Sequence, residues 1–533
     1  MCVVIYAIIE FSFGLCIVAM EMKNTFERFP VTACSRSRSL VRLVAVAAMP
    51  ALAVSLDISP DRVRTPLTVD MERIGTIRPR SVSEIESSNW TIGCETIERG
   101  YADFWQYAEY LAPLGIKTIR IQAGWARCEP QPGTFDFEWL DKVIDFAVGK
   151  DLNVLLETSY GNPAYPGAGG WDLGAGFPTS KEGLEAWDRW VETLAARYKG
   201  KVRDWAMWNE PDIRNPALPG HEFSKSPEEI ARFNVRTAKI IRKIIPDSRL
   251  AGLSLATLSG EFFESCLKAM GEDVKMFDWF IYHGYTPAPE DAYPNVEKFK
   301  EILKKYNPSA KMRQGENGCP SELANCFALS GIPWSEYSQA KWNLRRMLGD
   351  LGHDVESSLF TICDFNHTGR EMNRKGILRA TPGKKVIGIK RAYYAAQNLT
   401  SVFDSSLVRV TDPAVTNVDK SVTFYEYKGK GGEPLYVFWA SGETQQVKLP
   451  NRKRVVEVKH ERPGDSFDVR PTVFTAKGSP LENPVWVDLL TGRIYGYPQS
   501  RICVADGETY YLDVPVYDSP CILTERNVVV RQD

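Results

Sequence analysis

The chain has 533 residues, 44% of them hydrophobic and 25% charged. That is ordinary for a folded soluble protein and too long for one average domain. Lys plus Arg number 65 against 67 Asp plus Glu, a formal net charge of −2, which argues against a nucleic-acid partner because binding a polyanion calls for a basic excess.

Residues 1–56 read as targeting sequence. Three arginines in 36–42 (RSRSLVR) precede a charge-free run, 43–56 (LVAVAAMPALAVSL), with a small-residue exit near Ala51-Leu52-Ala53, the layout of an export signal. The run is too short for a comfortable membrane span. The earlier apolar stretch from Met1 to Met20 is interrupted by Glu10 and reads as an over-extended gene start. The chain is therefore expected to be secreted or periplasmic. The alternative is a membrane anchor, if the N-terminal segment is retained. Residues 57–88 form a linker, and 66–82 could add a strand or two to a later β module.

From residue 89 to 400 short apolar runs alternate with amphipathic stretches. The runs are 90–95, 116–125, 153–161, 204–210, 249–256, 276–285, 311–316 and 357–365. Strands alternating with helices imply parallel strands with crossover helices. Residues 226–245 begin with Ser226 as N-cap, Pro227 at the first helical position and Glu229 completing a capping box. Residues 182–199 place Leu184, Trp187, Trp190, Val191, Leu194 and Tyr198 at helical spacing. Residues 138–149 and 337–348 behave alike. Eight strand-helix units over about 275 residues match a (β/α)₈ TIM barrel. The competing doubly wound open sheet lacks its Gly-rich phosphate turn, since the first run ends Cys94-Glu95-Thr96-Ile97. Residues 401–533 change texture. Runs at 422–427, 434–440, 454–459, 485–490 and 509–516, separated by Gly, Pro and Asp turns, predict an antiparallel β-sandwich accessory domain.

Eleven cysteines occur, eight of them after residue 56, none in a spacing that would ligate zinc. Cys319 and Cys326 flank a short loop and are one candidate pair. Cys94 and Cys363 fall in apolar runs and read as buried thiols.

Barrel active sites lie at the C-terminal ends of the strands, so acids there carry the functional signal. Glu210 ends the fourth run in Trp208-Asn209-Glu210-Pro211-Asp212, and Glu316 ends the seventh in Gln314-Gly315-Glu316-Asn317-Gly318. Two carboxylates about 5 Å apart across a glycosidic bond suffice for cleavage with retention, one protonating the leaving oxygen and the other attacking the anomeric carbon. A single acid at a strand end is more often a surface carboxylate, and the pairing of the two carries the argument.

The WNEPD and GENG motifs resemble those of clan A glycoside hydrolases, and within the clan the family 39 group of β-xylosidases and α-L-iduronidases, over roughly residues 90–400. The resemblance implies a retaining hydrolase of β-linked sugars, with Glu210 as acid/base, Glu316 as nucleophile and Asn209 as partner of the sugar 2-hydroxyl. It points to Arg120 in TIRIQ as a hydrogen-bond partner of the nucleophile and to His283 and Tyr285, ending the sixth strand, as further neighbours. A structural salt bridge for Arg120, and packing for the others, compete with these roles. Trp125 is a candidate sugar platform, and Asn162 a candidate hydroxyl contact. Clan members usually carry a Trp at the end of the eighth strand. This chain reads Cys363-Asp364-Phe365-Asn366-His367, so the expectation is either Phe365 as the stacking face or Asp364 and His367 as hydroxyl contacts. The Gly-rich insertion 160–180 is expected to wall one end of a cleft, favouring exo action on short glycosides. No cofactor or metal is called for, since a metal-dependent hydrolase wants several His at strand ends and five are scattered along the chain. A non-catalytic carbohydrate-binding barrel is the alternative function. On the enzymatic reading, Glu210 should have a raised pKa and Glu316 a depressed one.

Overall fold

A computed structural model describes residues 62–213, 225–367, 371–442 and 460–532, together with four short strands outside them. The chain forms two units, Met1–Ala53 and Val54–Asp533. In the first, Tyr6–Ile9 pairs antiparallel with Cys16–Ala19. The basic run and apolar run expected to direct export, at 36–56, lie outside the described residues.

In the second unit, eight parallel strands close into a barrel: β1 (Trp90–Gly93), β2 (Thr118–Gln122), β3 (Asn153–Glu157), β4 (Asp204–Ala206), β5 (Arg249–Leu255), β6 (Trp279–Tyr282), β7 (Lys311–Asn317) and β8 (Glu356–Leu359). Each coincides with one of the eight apolar runs, Asn317 and Glu356 lying one residue outside theirs. The strands are buried almost throughout, as a parallel sheet covered on both faces must be. The main covering helices are α1 (Glu138–Gly149), α2 (Lys181–Tyr198), α3 (Pro227–Ile244), α4 (Gly260–Met270), α5 (Tyr293–Tyr306), α6 (Glu336–Gly352) and α7 (Arg391–Val402). α3 carries the expected capping box, with Ser226 Oγ accepting from the Glu229 amide and Glu229 returning a bond to the Ser226 amide. No helix among the described residues is long and apolar enough to cross a membrane.

An eight-stranded sheet runs Val408–Arg409, Val422–Lys428, Pro434–Ala440, Cys521–Glu525, Pro484–Asp488, Arg493–Gly496, Arg73–Ile77 and Arg531–Gln532. Its neighbouring strands pair antiparallel throughout. Side chains alternate across its pleat. Tyr436, Phe438 and Trp486 face Phe474, Tyr511 and Val514 of a four-stranded sheet. Their neighbours Leu435, Val437, Trp439 and Val487 join the core that runs through the barrel and its helices. The large sheet is thus a wall shared by two cores. The strand Arg73–Ile77, which precedes the barrel in the chain, belongs to it.

Candidate active site

Glu210 lies four residues past the end of β4 in a left-handed conformation, φ 48°, a conformation that costs a non-glycine residue free energy. The strain is held by β5, whose irregular Gly252–Leu255 stretch presents the Ser254 carbonyl to the Glu210 amide at 2.9 Å. Asn234 of α3 fixes that stretch by accepting from the Leu253 amide at 2.9 Å. Glu316 sits in the last turn of β7. One carboxylate oxygen of Glu210, one of Glu316 and a ring nitrogen of His283 all lie within 4.8 Å of one another.

The surroundings of the two acids differ. Tyr285 donates its hydroxyl to Glu316 Oε1 at 2.7 Å, and Arg120 Nη1 donates to Oε2 at 3.2 Å. His283 Nδ1 lies 2.7 Å from Glu210 Oε1 and 3.6 Å from Glu316 Oε2. Burial raises Glu210, the negative charge of Glu316 adds to that, and together they outweigh His283, so the Glu210 carboxyl stands above its ordinary value. Burial raises Glu316 as well, but His283, Arg120 and the Tyr285 hydroxyl outweigh it and hold the carboxyl below its ordinary value. These are the directions expected of an acid and a nucleophile. Burial pushes His283 down while the two carboxylates push it up more strongly, so its protonated form is favoured.

Arg120 is fully buried beneath the acids, and its guanidinium also bonds Glu95 Oε1 at 2.7 Å, Glu157 Oε2 at 2.7 Å and Asn209 Oδ1 at 2.6 Å. Asn209 in turn donates to Tyr160 Oη at 2.7 Å. Arg120 is therefore a positioning residue. The cleft above has a volume of about 410 Å³, and its lining includes Asn209, Glu210, Tyr285, Glu316, Phe360 and His367. Glu210, His283 and Glu316 offer ligand atoms close enough for a cation, while Arg120 and Tyr285 already supply hydrogen bonds to Glu316.

Several expectations are corrected. Trp125 is fully buried, its ring packed on Tyr165, Trp187 and Trp190 and its indole N–H donated to Glu129 at 2.5 Å. It forms no sugar platform. Asn162 is buried too. Its amide donates to the Glu129 carbonyl at 2.8 Å and its oxygen accepts from the Ala164 amide at 3.0 Å, so it shapes the loop. Phe365 is buried edge-on against Phe360. β8 ends at Leu359, and Phe360, the next residue, lines the cleft where Phe365 does not. Asp364 is consumed by Lys390 and Arg374 at 2.6 and 3.2 Å. His367 does reach the cleft, stacked on Phe327 at 4.8 Å. Cys319 and Cys326 do not pair with each other, and no disulfide joins any of the eight cysteines between Cys94 and Cys521. Cys319 packs beside Trp334 and Trp342, whereas Cys326 meets Glu371.

Some residues escaped the sequence reading. Glu95 and Glu157 are buried with Arg120, and Lys375 lines the cleft. The search for acids at strand ends would have returned both glutamates. Nothing in the sequence marks Lys375, which follows the short strand Glu371–Asn373 beyond β8.

A family model described as Beta-galactosidase matches residues 99–167. The 6-phospho-beta-glucosidase of Clostridium longisporum is 29% identical over 152 residues, covering 26% of this chain and 29% of that protein. The chain matches less than a third of the length of its curated relatives. Among solved structures, a family 39 glycoside hydrolase from the gut symbiont Bacteroides cellulosilyticus WH2 superposes with TM-score 0.58 at 15% identity, over 84% of this chain and 81% of that one. A monomeric beta-xylosidase from Caulobacter crescentus CB15 superposes with TM-score 0.53 at 15% identity, over 86% and 98%. What is shared at these identities is the fold. This chain has a TIM barrel with antiparallel C-terminal sheets, and its structural neighbours are TIM-barrel glycoside hydrolases of families 39 and 30, both in clan A.

Proposed function

We propose that the protein is a retaining glycoside hydrolase acting on β-linked sugars by double displacement. The observation that carries the reading is the spacing of Glu210 and Glu316, with carboxylate oxygens within 4.8 Å. Retaining enzymes hold their carboxyl groups about 5–5.5 Å apart, whereas inverting enzymes leave room for a water at about 6.5–9.5 Å. In the first step Glu316 attacks the anomeric carbon as Glu210 gives its proton to the departing oxygen. In the second, Glu210 takes a proton from water as that water displaces Glu316. The unequal surroundings of the two acids support this division of labour. Asn209 has one amide hydrogen engaged by Tyr160 and a second available for the sugar 2-hydroxyl, a bond that strengthens in the transition state.

Leu173, from the 160–180 insertion, lines the cleft and favours exo action on short glycosides. Phe360 supplies the stacking face. Export to the periplasm or medium is the proposed location, resting on the basic and apolar runs before residue 57. A binding-only barrel would have no need of two facing acids whose surroundings push their carboxyl groups in opposite directions.

The test is Glu316→Gly assayed on an activated nitrophenyl glycoside. Turnover should fall by several orders of magnitude, and added azide should restore cleavage by occupying the space of the lost carboxylate and attacking in its place. Near-normal turnover in the variant overturns the assignment.

A further inference from the structure

Eight lysines and arginines are buried among the described residues: Lys117, Arg120, Arg313, Lys341, Arg345, Arg346, Lys375 and Lys390. Seven have a carboxylate within ion-pair distance. Lys117, Lys341 and Lys390 meet Asp151, Asp518 and Asp364 at 2.5, 2.6 and 2.6 Å. The four arginines have partners at 2.6 to 3.3 Å. Lys375 stands apart. It is 2% exposed, it lines the cleft, and its Nζ lies 5.5 Å from the centre of the Tyr285 ring. No described acceptor or carboxylate engages that ammonium. The nearby Glu316 is already held by Arg120 and Tyr285. Burial draws Lys375 down to about 8, with Glu316 opposing, so it remains mostly protonated at neutral pH.

A buried ammonium without a counter-charge is costly. Among the described residues every other buried lysine and arginine has a carboxylate partner. Apart from Glu316, which Arg120 and Tyr285 already hold, no described carboxylate faces Lys375, so an anion carried by the ligand would find its counter-charge there. The ammonium sits beside Tyr285 and Glu316, so the group it meets belongs to the sugar whose anomeric carbon faces Glu316.

Resting on the glycosidase reading above, we infer that Lys375 binds an anionic substituent of that sugar, so the preferred substrates are acidic glycosides. Carboxylate, sulfate and phosphate share this chemistry. The experiment compares kcat/KM for nitrophenyl β-D-glucuronide, β-D-glucoside 6-sulfate and β-D-glucoside 6-phosphate with neutral β-D-glucoside and β-D-xyloside, in wild type, Lys375→Met and Lys375→Arg. One acidic arm should exceed the neutral ones, which identifies the anion. In Lys375→Met the acidic-to-neutral ratio should fall about a hundredfold, the scale of removing one partner of a buried charge pair. Lys375→Arg should retain much of it. Thermal unfolding gives a readout independent of turnover. Lys375→Met should melt at or above the wild-type temperature, since it removes an uncompensated buried charge, and the preferred free acidic sugar should raise the wild-type Tm but not that of Lys375→Met. Cleavage of the neutral glycosides alone, or a ratio unchanged in Lys375→Met, overturns the inference and leaves the glycosidase reading standing. Cleavage of none of the panel overturns both.

Discussion

Glu95 is the third acid of the cleft and the one in tension with its surroundings. Burial raises it to about 7, with Arg120 opposing and Glu316 adding to the rise. Its Oε2 is buried without a hydrogen-bond partner among the described residues. Between its ordinary value of 4.5 and about 7 the folded chain holds a proton that the unfolded chain has released. The stability contributed by this group is therefore full below the unfolded pKa and lost as pH rises through the folded one. Glu95→Gln removes that loss. Its unfolding free energy, relative to wild type, should climb by roughly 1–3 kcal/mol between pH 4.5 and 8. Denaturant unfolding at the two pH values measures this, and a difference independent of pH would refute the assignment of a neutral, buried Glu95. The same residue shows how far the sequence could be read. Asking which strand ends carry acids finds Glu95, Glu157, Glu210 and Glu316 together. Only side-chain direction separates the pair facing each other from the two that accept hydrogen bonds from Arg120.

At the scale of elements, the capping box of α3 matters because α3 does more than cover the barrel. Asn234 on its buried face holds the Leu253 amide, and the neighbouring Ser254 carbonyl holds the strained turn of Glu210. Ser226→Ala should cost about 1 kcal/mol of stability by stripping the cap from α3, seen as a lower denaturation midpoint. A variant as stable as wild type would show that the cap contributes nothing in this context. Element type and order were legible here because their periods are local. Period two with both faces covered yields continuous apolar runs, and a period of 3.6 with Ser-Pro-x-Glu at its head yields α3. Strand ends were less legible. The apolar run 357–365 continues past the last ladder bond at Leu359, and that overrun moved the expected stacking face from Phe360 to Phe365.

For the whole molecule, the wall sheet binds distant parts of the chain. The strand Arg73–Ile77 pairs with Arg493–Gly496 and Arg531–Gln532. Arg345 of α6 bonds Glu290 at 2.6 Å and the Glu461 carbonyl at 2.9 Å, and Trp439 of the wall donates to the same Glu290 at 2.7 Å. Separating barrel from sheet would leave that buried charge network open to water. Calorimetry should therefore show one cooperative transition for barrel and β region together; two well-separated transitions would mean that the regions fold independently.

The sequence by itself determined the strands and helices, their parallel arrangement and the two acids at the C-terminal ends of the fourth and seventh strands, because all of these rest on spacings of a few residues. The tertiary structure alone decided which side chains share the cleft. Trp125 turned into the core, Phe360 replaced Phe365, and Lys375 arrived from beyond the eighth strand without a counter-charge. Such placements depend on closing the barrel and on how side chains from separate strands point once it is closed, and no local period records that.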